Sequence, residues 1–285
     1  FQEPTVDIDP TILDTAVSPR PERDLAFTAA PDYASWCRGR SVVLIPVGAL
    51  EQHGPHMPLG TDALLSHAVA RGACDLVNAK AHGDVDPVKV AQPFVYGYKS
   101  QQKSGGGNHL PGTISLDAET LTSYARDITR GFFAQGVSSV VFVNGHYENY
   151  QFLYEGVDLA LRDLGIVQGS ERSALLLSYW DYVDDATLAK VYPDGFPGWD
   201  IEHGGVLETA LMMRLYPSLV NESLMIDHPA ADLPRFDRLP VVPGRTPETG
   251  CLSSPRGASR EKGEWLFCAA ASAIAADLLQ ELNLT

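Results

Sequence analysis

No apolar run in this chain approaches the roughly 20 residues that a membrane-spanning helix requires, so a soluble protein is expected. Basic residues are few: 21 Lys and Arg stand against 36 Asp and Glu, for a formal net charge of −15. That balance argues against a protein that grips the phosphate backbone of nucleic acid. There are only four cysteines, Cys37, Cys74, Cys251 and Cys268, far apart and without a CxxC pair. Neither a zinc ribbon nor a disulfide framework is expected from them; buried reduced thiols are. No GxSxG elbow surrounds Ser104 or Ser178, which removes the usual setting of serine-hydrolase chemistry. The SGGG run at 104–107 lacks both GK[ST] and GxGxxG, so a phosphate or dinucleotide role is weak. Internal repeats, low-complexity tracts and a linker strong enough to divide the chain are also missing. The chain begins at Phe1, and FQEPTVDIDPTILD has neither a basic n-region nor an apolar h-region. With reduced cysteines, the expected location is the cytoplasm, a processed exported form being the alternative.

What is present is enough apolar material for a large core, 45% hydrophobic over 285 residues. One large α/β domain or two small ones would fit. Residues 1–40 carry scattered prolines and charges without a period and read as an extended arm with one or two short helical turns, packing on a neighbouring subunit. SVVLIPVG (41–48) is continuous in apolar residues, as a central parallel strand should be. VKVAQPFVYG (88–97), SSVVFVNG (138–145) and SALLLSYW (173–180) read as further strands. Helices are expected from Thr61, as cap, to about Val77, from Asp117 to Gly136, over 149–164, over most of IEHGGVLETALMMRLYP, and from Ser259 to about Leu282. Residues 218–257 look irregular. Strands alternating with helices predict an α/β fold, a mostly parallel central sheet with helices on both faces, forming a single catalytic domain over 41–285.

Two strand ends carry the chemistry. Glu51 and His53 are two residues apart just past the first strand, and His146 and Glu148 repeat the spacing after the third. In extended backbone, such pairs project to one side. Asp62, at a helix start, can bridge two metals with its two oxygens. A single ExH pair is common on a solvated loop; two mirrored pairs plus an aspartate, all at strand ends, are not. Three carboxylates and two imidazoles without a thiolate suit Zn²⁺, Mn²⁺ or a mixed pair. Two such ions about 3.5–4 Å apart hold a bridging hydroxide and polarise a carbonyl. His56 is a candidate sixth ligand, but it lies further from the strand end and is expected to support the turn. His67, His82 and His228 are expected to be structural or solvated. In GWDIEHGG (198–205), Asp200, Glu202 and His203 meet at a loop-to-helix junction, either as helix caps or with His203 as a proton shuttle. Trp180 and Trp199 would wall a pocket for a flat ligand, or pack in the core.

With these residues assembled, the chain resembles the creatininase (creatinine amidohydrolase) family. The matching stretches are VGALEQHGPHMPLGTD, YGYKSQQKSGGGNHLPGT, VNGHYEN, SYWDY, GWDIEHGGVLET and SREKGE, in order from residue 41 to about 264. EQHGPH and NGHxEN belong to the family broadly, while KSQQKSGGGNH, SYWD and GWDIEHGG resemble its creatinine-hydrolysing members. The resemblance implies the creatininase-like three-layer fold, a homohexamer and a dinuclear Zn/Mn centre. Glu51, Asp62 and His146 would hold one metal, and His53, Asp62 and Glu148 the other. Ser104, Tyr147, Trp199, Asp200 and His203 would contact the substrate, with Trp180 on a mobile loop that closes the pocket and Glu202 setting the protonation of His203. The implied reaction interconverts creatinine and creatine by hydroxide attack on the lactam carbonyl. The alternative within the fold is a dinuclear-metal amidohydrolase for another small amide, a formamide on a heterocycle or a short peptide. A non-catalytic protein that kept the fold would instead bind well under one metal per chain.

Overall fold

Four parallel strands form the centre of the computed structural model, which describes residues 17, 18, 20–81, 85–101, 103, 107–242 and 244–284. They are β1 (Val42–Val47), β2 (Val88–Val90), β3 (Ser139–Asn144) and β4 (Ser173–Ser178), in the order β2-β1-β3-β4. Alternate side chains of a strand point to opposite faces, and here both faces are apolar. Val42, Leu44, Val141 and Val143 enter one core with α2 (Thr61–Lys80), α6 (Val206–Leu215) and α7 (Arg260–Glu281). Val43, Ile45, Val140 and Phe142 enter the other with α1 (Ala30–Trp36), α3 (Ala118–Ala134) and α4 (Tyr150–Leu164). A short α5 (Asp185–Val191) brings the helices to seven among the described residues. This is the expected three-layer α/β arrangement. No described helix is long and apolar enough to cross a membrane.

Local expectations fail where the backbone has a specific reason. The second strand ends at Val90 rather than Gly97. Pro93 cannot donate to the ladder, and only Phe94 returns, bridging Val47 with its amide on the Pro46 carbonyl at 2.9 Å. Thr61 does not cap α2: Gly60 holds that position, and the Thr61 hydroxyl donates to the Pro58 carbonyl at 2.7 Å. The segment expected to be mostly helix from Ile201 begins α6 only at Val206, because Gly204 turns at φ +65°. The fourth strand gives way after Ser178 to a 3-10 turn, Tyr179–Tyr182. By contrast, Ser259 caps α7 as its sequence suggests, accepting from the Lys262 amide at 3.2 Å.

Residues 20–40 pack on the body of the same chain. Asp24 pairs with Arg71 of α2 at 2.6 Å, Asp75 with Arg20 at 3.2 Å, and Trp36 is buried among β1 and α3 side chains. Residues 1–16 lie outside the described residues. The four cysteines are free, Cys74 and Cys251 being fully buried.

The sheet register fixes where chemistry can occur. β1 and β3 are neighbours, with Val47 opposite Asn144, so the chain leaves both strands side by side at their C-terminal ends, the usual ligand position in open α/β sheets. A glycine follows each strand, and the first turn of α2 presses into the space. A Cβ on Gly48 would fall inside the backbone of Ala63 and 2.7 Å from the Asp62 carbonyl carbon; one on Gly145 would lie 2.7 Å from the Asp62 carbonyl oxygen. Asp62 reaches the strand ends only because neither position carries a side chain. Gly48→Ala is therefore expected to cost about 3 kcal/mol, read as a lowered midpoint of chemical denaturation. An unchanged midpoint would show that α2 can move aside.

Candidate metal centre

Glu51 and His53 lie just beyond β1, Asp62 in the first turn of α2, and His146 just beyond β3; all four are at least 96% buried. The turn after β3 is held by Asn144, whose side-chain amide donates to the His146 carbonyl at 2.8 Å and whose oxygen accepts the His146 amide at 3.2 Å. Asn149 ties that turn to the first strand by donating to the Gly48 carbonyl at 3.1 Å. Ser100 donates to Glu51 Oε1 at 2.6 Å. The start of α2 also directs positive helix-dipole potential at Asp62.

Both imidazoles follow one pattern. His53 Nδ1 sits 3.0 Å from the Glu51 carbonyl, and His146 Nε2 sits 3.0 Å from the Tyr98 carbonyl. A ring nitrogen facing a carbonyl carries the proton, so the other nitrogen presents a lone pair. In His53 that nitrogen, Nε2, faces Asp62 Oδ1 at 2.8 Å and Glu208 Oε1 at 3.6 Å. In His146 it is Nδ1, facing Glu51 Oε2 and Asp62 Oδ2 at 3.1 Å each. Neither His53 Nε2 nor Asp62 Oδ2 makes a hydrogen bond, although both are buried. Lone pairs converging on carboxylate oxygens repel unless a proton or a metal ion lies between them, and backbone pinning of the far nitrogen is how metal-bound histidines are oriented. The donors suit a pair of divalent ions: Glu51, Asp62 and His146 form one buried trio, and His53, Asp62 and Glu208 another.

The ionisation of these groups reflects the same field. Burial alone would lower His53, but the charges of Asp62 and Glu208 outweigh it and hold the ring well above the ordinary histidine value. His146 is raised likewise against its burial by Glu148 and Glu51. Burial would lift Glu51, yet the neighbouring His203 and His146 pull it down to about 2. A site that holds protons this firmly favours a divalent cation in their place.

The trios open onto a cavity of about 260 Å³. Tyr147, Trp180, Trp199, Asp200, Glu202 and His203, all singled out in the sequence, line it, together with Glu148. Glu148 faces His146 Nε2 at 3.3 Å and accepts the Gln101 amide at 3.1 Å; it does not form a trio with His53. Ser104 lies outside the described residues, as does His82. Trp199 packs edge-on against Phe196 and Trp180 against Tyr179, with ring centroids 4.7 and 5.3 Å apart. Glu202 is lifted by its burial, and then by the charge of Glu208, to about 7; its carboxylate still accepts the Leu207 amide at 2.6 Å, so it also caps α6. His56 stays out of both trios. It bonds Thr209 Oγ1 at 2.8 Å, and burial lowers it to about 4. His67 and His228 do not line the cavity.

The structure also brings in residues the sequence reading passed over. Gln52 brackets His203 Nε2 with its side-chain amide at 3.1 Å and its own carbonyl at 2.9 Å. That nitrogen thus has a partner in either state, the carbonyl when protonated and the amide N–H when not. Gln52 lies between two candidate ligands in EQH, a signal that was available. Glu208 is the other addition. A lone glutamate among Val206, Leu207, Ala210 and Leu211 breaks an apolar helix, which marks a buried charge in need of a partner.

Comparison with known proteins places this arrangement. Residues 26–278 match the family model for Creatininase, described as creatinine amidohydrolase. The chain is 49% identical to creatinine amidohydrolase of Pseudomonas putida over 85% of its own length and 90% of the relative's. It is 32% identical to a mycofactocin precursor peptide peptidase of Mycolicibacterium smegmatis, over 79% of each. Among solved structures, a manganese creatininase superposes with a TM-score of 0.85 at 46% identity, over 91% of this chain and 98% of that one. A mutant creatininase of Zn-Zn type gives a TM-score of 0.85, and one complexed with creatine gives 0.84; both are 45% identical over 91% of this chain and 98% of theirs.

Proposed function

Because this chain belongs to the creatininase family, we propose that the cavity beside Glu51 and His146 is where it hydrolyses creatinine. The protein is a metal-dependent hydrolase of a cyclic amide, interconverting creatinine and creatine. The observation that carries the site assignment is the matched pair of histidines, each pinned to a backbone carbonyl and each turning a lone pair toward two carboxylates. Glu51, Asp62 and His146 would hold one ion and His53, Asp62 and Glu208 the other, while Glu148, which the resemblance put in the second set, stands beside His146 instead.

When bound, Zn²⁺ or Mn²⁺ supplies Lewis acidity that polarises the lactam carbonyl and lowers the pKa of water. The protein does the rest. Trp180 and Trp199 border the cavity as apolar walls for the flat ring, excluding bulk water. Tyr147 and Asp200, on the cavity wall, would contact the polar edge of the substrate. As water adds to the carbonyl carbon and the ring C–N bond breaks, the leaving nitrogen needs a proton, which His203 delivers. Gln52 holds the imidazole still through that change of state, while the Glu202 carboxylate is directed at the Leu207 amide and the Ser253 hydroxyl.

Quantifying creatine formed from creatinine by the metal-loaded protein tests this reading, and steady turnover is expected. No creatine, combined with turnover of a formylated heterocycle or a short peptide, would establish the alternative substrate class. The protein acts in the cytoplasm as a homohexamer, without a nucleic-acid or membrane partner. The free thiols and the acidic charge support the first and last points. Exposed Tyr150 and Tyr154 along one side of α4 support the second. Light scattering on the same preparation should return the mass of six chains; the mass of one would remove that part alone.

A further inference from the structure

We propose that the segment 250–253 aims the proton carrier, fixing the Gln52 side chain on one flank of His203 and the His203 backbone on the other. Its members are positioning residues, since none of the four lines the cavity. The inference rests on the reading of His203 as proton carrier and extends it to the element that decides where the imidazole points.

The segment lies in the stretch 218–257 that looks irregular in sequence, yet its four residues are all buried. Three of them bond to different groups around the proton carrier. The Gly250 carbonyl accepts from Gln52 Nε2 at 3.0 Å, and the same nitrogen stands 3.1 Å from His203 Nε2. Gln52 Oε1 accepts the Gly54 amide at 3.1 Å, so the side-chain amide has one orientation, with an N–H toward the imidazole. The Leu252 amide donates to the His203 carbonyl at 2.9 Å, and the Leu252 carbonyl is itself anchored by the Ala231 amide at 2.7 Å. Ser253 Oγ donates to Glu202 Oε2 at 3.2 Å. Cys251 fills the space between these bonds. A Cβ on Gly54 would fall 2.3 Å from its sulfur, and one on Gly204 2.7 Å from it, so the thiol packs against the turns that follow His53 and His203. Gly250 is the sensitive position. Its φ of +84° suits glycine, and a Cβ there would fall 1.7 Å from Gln52 Oε1. A methyl group at this point would push Gln52 off His203 without entering the cavity.

The test is steady-state creatinine turnover by the metal-loaded, full-length protein, comparing wild type, Gly250→Ala, Gln52→Ala, the double variant of these two, and His203→Ala. In Gly250→Ala, kcat should fall about 10- to 100-fold, as for a reacting group displaced by about 1 Å, with KM within about twofold of wild type and both ions retained. Gln52→Ala removes the atoms that the new methyl would meet, so the double variant should turn over no more slowly than Gln52→Ala alone. Losses that multiply in the double variant would show that Gly250 acts on stability rather than through Gln52, and would overturn the inference. A wild-type kcat or a lost ion in Gly250→Ala would do the same. Should Gly250→Ala not accumulate as folded protein, Ser253→Ala takes its place. Deleting that one hydroxyl should lower kcat about three- to tenfold at an unchanged KM, and a wild-type kcat there overturns the inference equally. If His203→Ala keeps wild-type turnover, the proton-carrier reading itself falls. A slow His203→Ala beside a wild-type Gly250→Ala removes only the part assigned to 250–253.

Discussion

Replacing His203 by alanine is expected to slow creatinine turnover by about 10²–10⁴-fold while metal content stays at two ions per chain. His203 is the one imidazole on the cavity wall whose nitrogen is served by both a donor and an acceptor, the Gln52 amide and carbonyl. A group built to be held in both protonation states is suited to carry a proton rather than to hold an ion. The geometry also offers the opposite role, because His203 Nε2 lies 3.8 Å from Glu51 Oε1 and the three residues Glu51, His53 and His203 are close enough to share an ion. Metal analysis of the variant separates the two. Loss of an ion makes His203 a ligand, whereas full occupancy with a fallen kcat and a nearly unchanged KM makes it the proton carrier. Activity close to wild type would mean that water or Glu202 delivers the proton.

Asp62→Asn should be the most damaging substitution that preserves shape. The side chain is 2% exposed, and its two oxygens serve different histidines, Oδ1 at 2.8 Å from His53 and Oδ2 at 3.1 Å from His146. An amide keeps the volume, but it removes the negative charge and turns an N–H toward one of the two positions. Lewis-acid stabilisation is worth several kcal/mol and each ~1.4 kcal/mol is tenfold, so turnover should fall by about 10³-fold or more. At least one ion should be lost on dialysis. The variant should fold, since α2 begins at Gly60 and Thr61 without using the Asp62 side chain as its cap. Wild-type metal content with wild-type turnover would show that Asp62 bridges nothing.

The central strands were legible because burial on both faces demands apolar residues, and 42–47 and 139–144 have them; 173–178, half-buried at the sheet edge, keeps an apolar run as well. The second strand was overread for the same reason: VKVAQPFVYG looks apolar throughout, but the ladder depends on backbone donors and Pro93 has none. Ligand-type residues at strand ends were legible from their spacing alone. Gln52 and Glu208 were not, since an amide between two ligands and one acid on a helix acquire meaning only from what faces them.

Composition, apolar runs and motif order determined the layered α/β class, the C-terminal strand ends as the place of chemistry, and the donors Glu51, His53, Asp62, His146 and Glu148 as a metal-type set. These follow from local rules of burial, period and donor type, which a single chain displays in one dimension. Tertiary structure alone decided how the donors group. It set β1 beside β3, let α2 press Asp62 between two glycines, turned Glu148 toward His146, and brought Glu208 from a helix more than 140 residues away to His53. Convergence of charge in a dry pocket is a property of distance, and distance between remote residues is set by packing rather than by spacing.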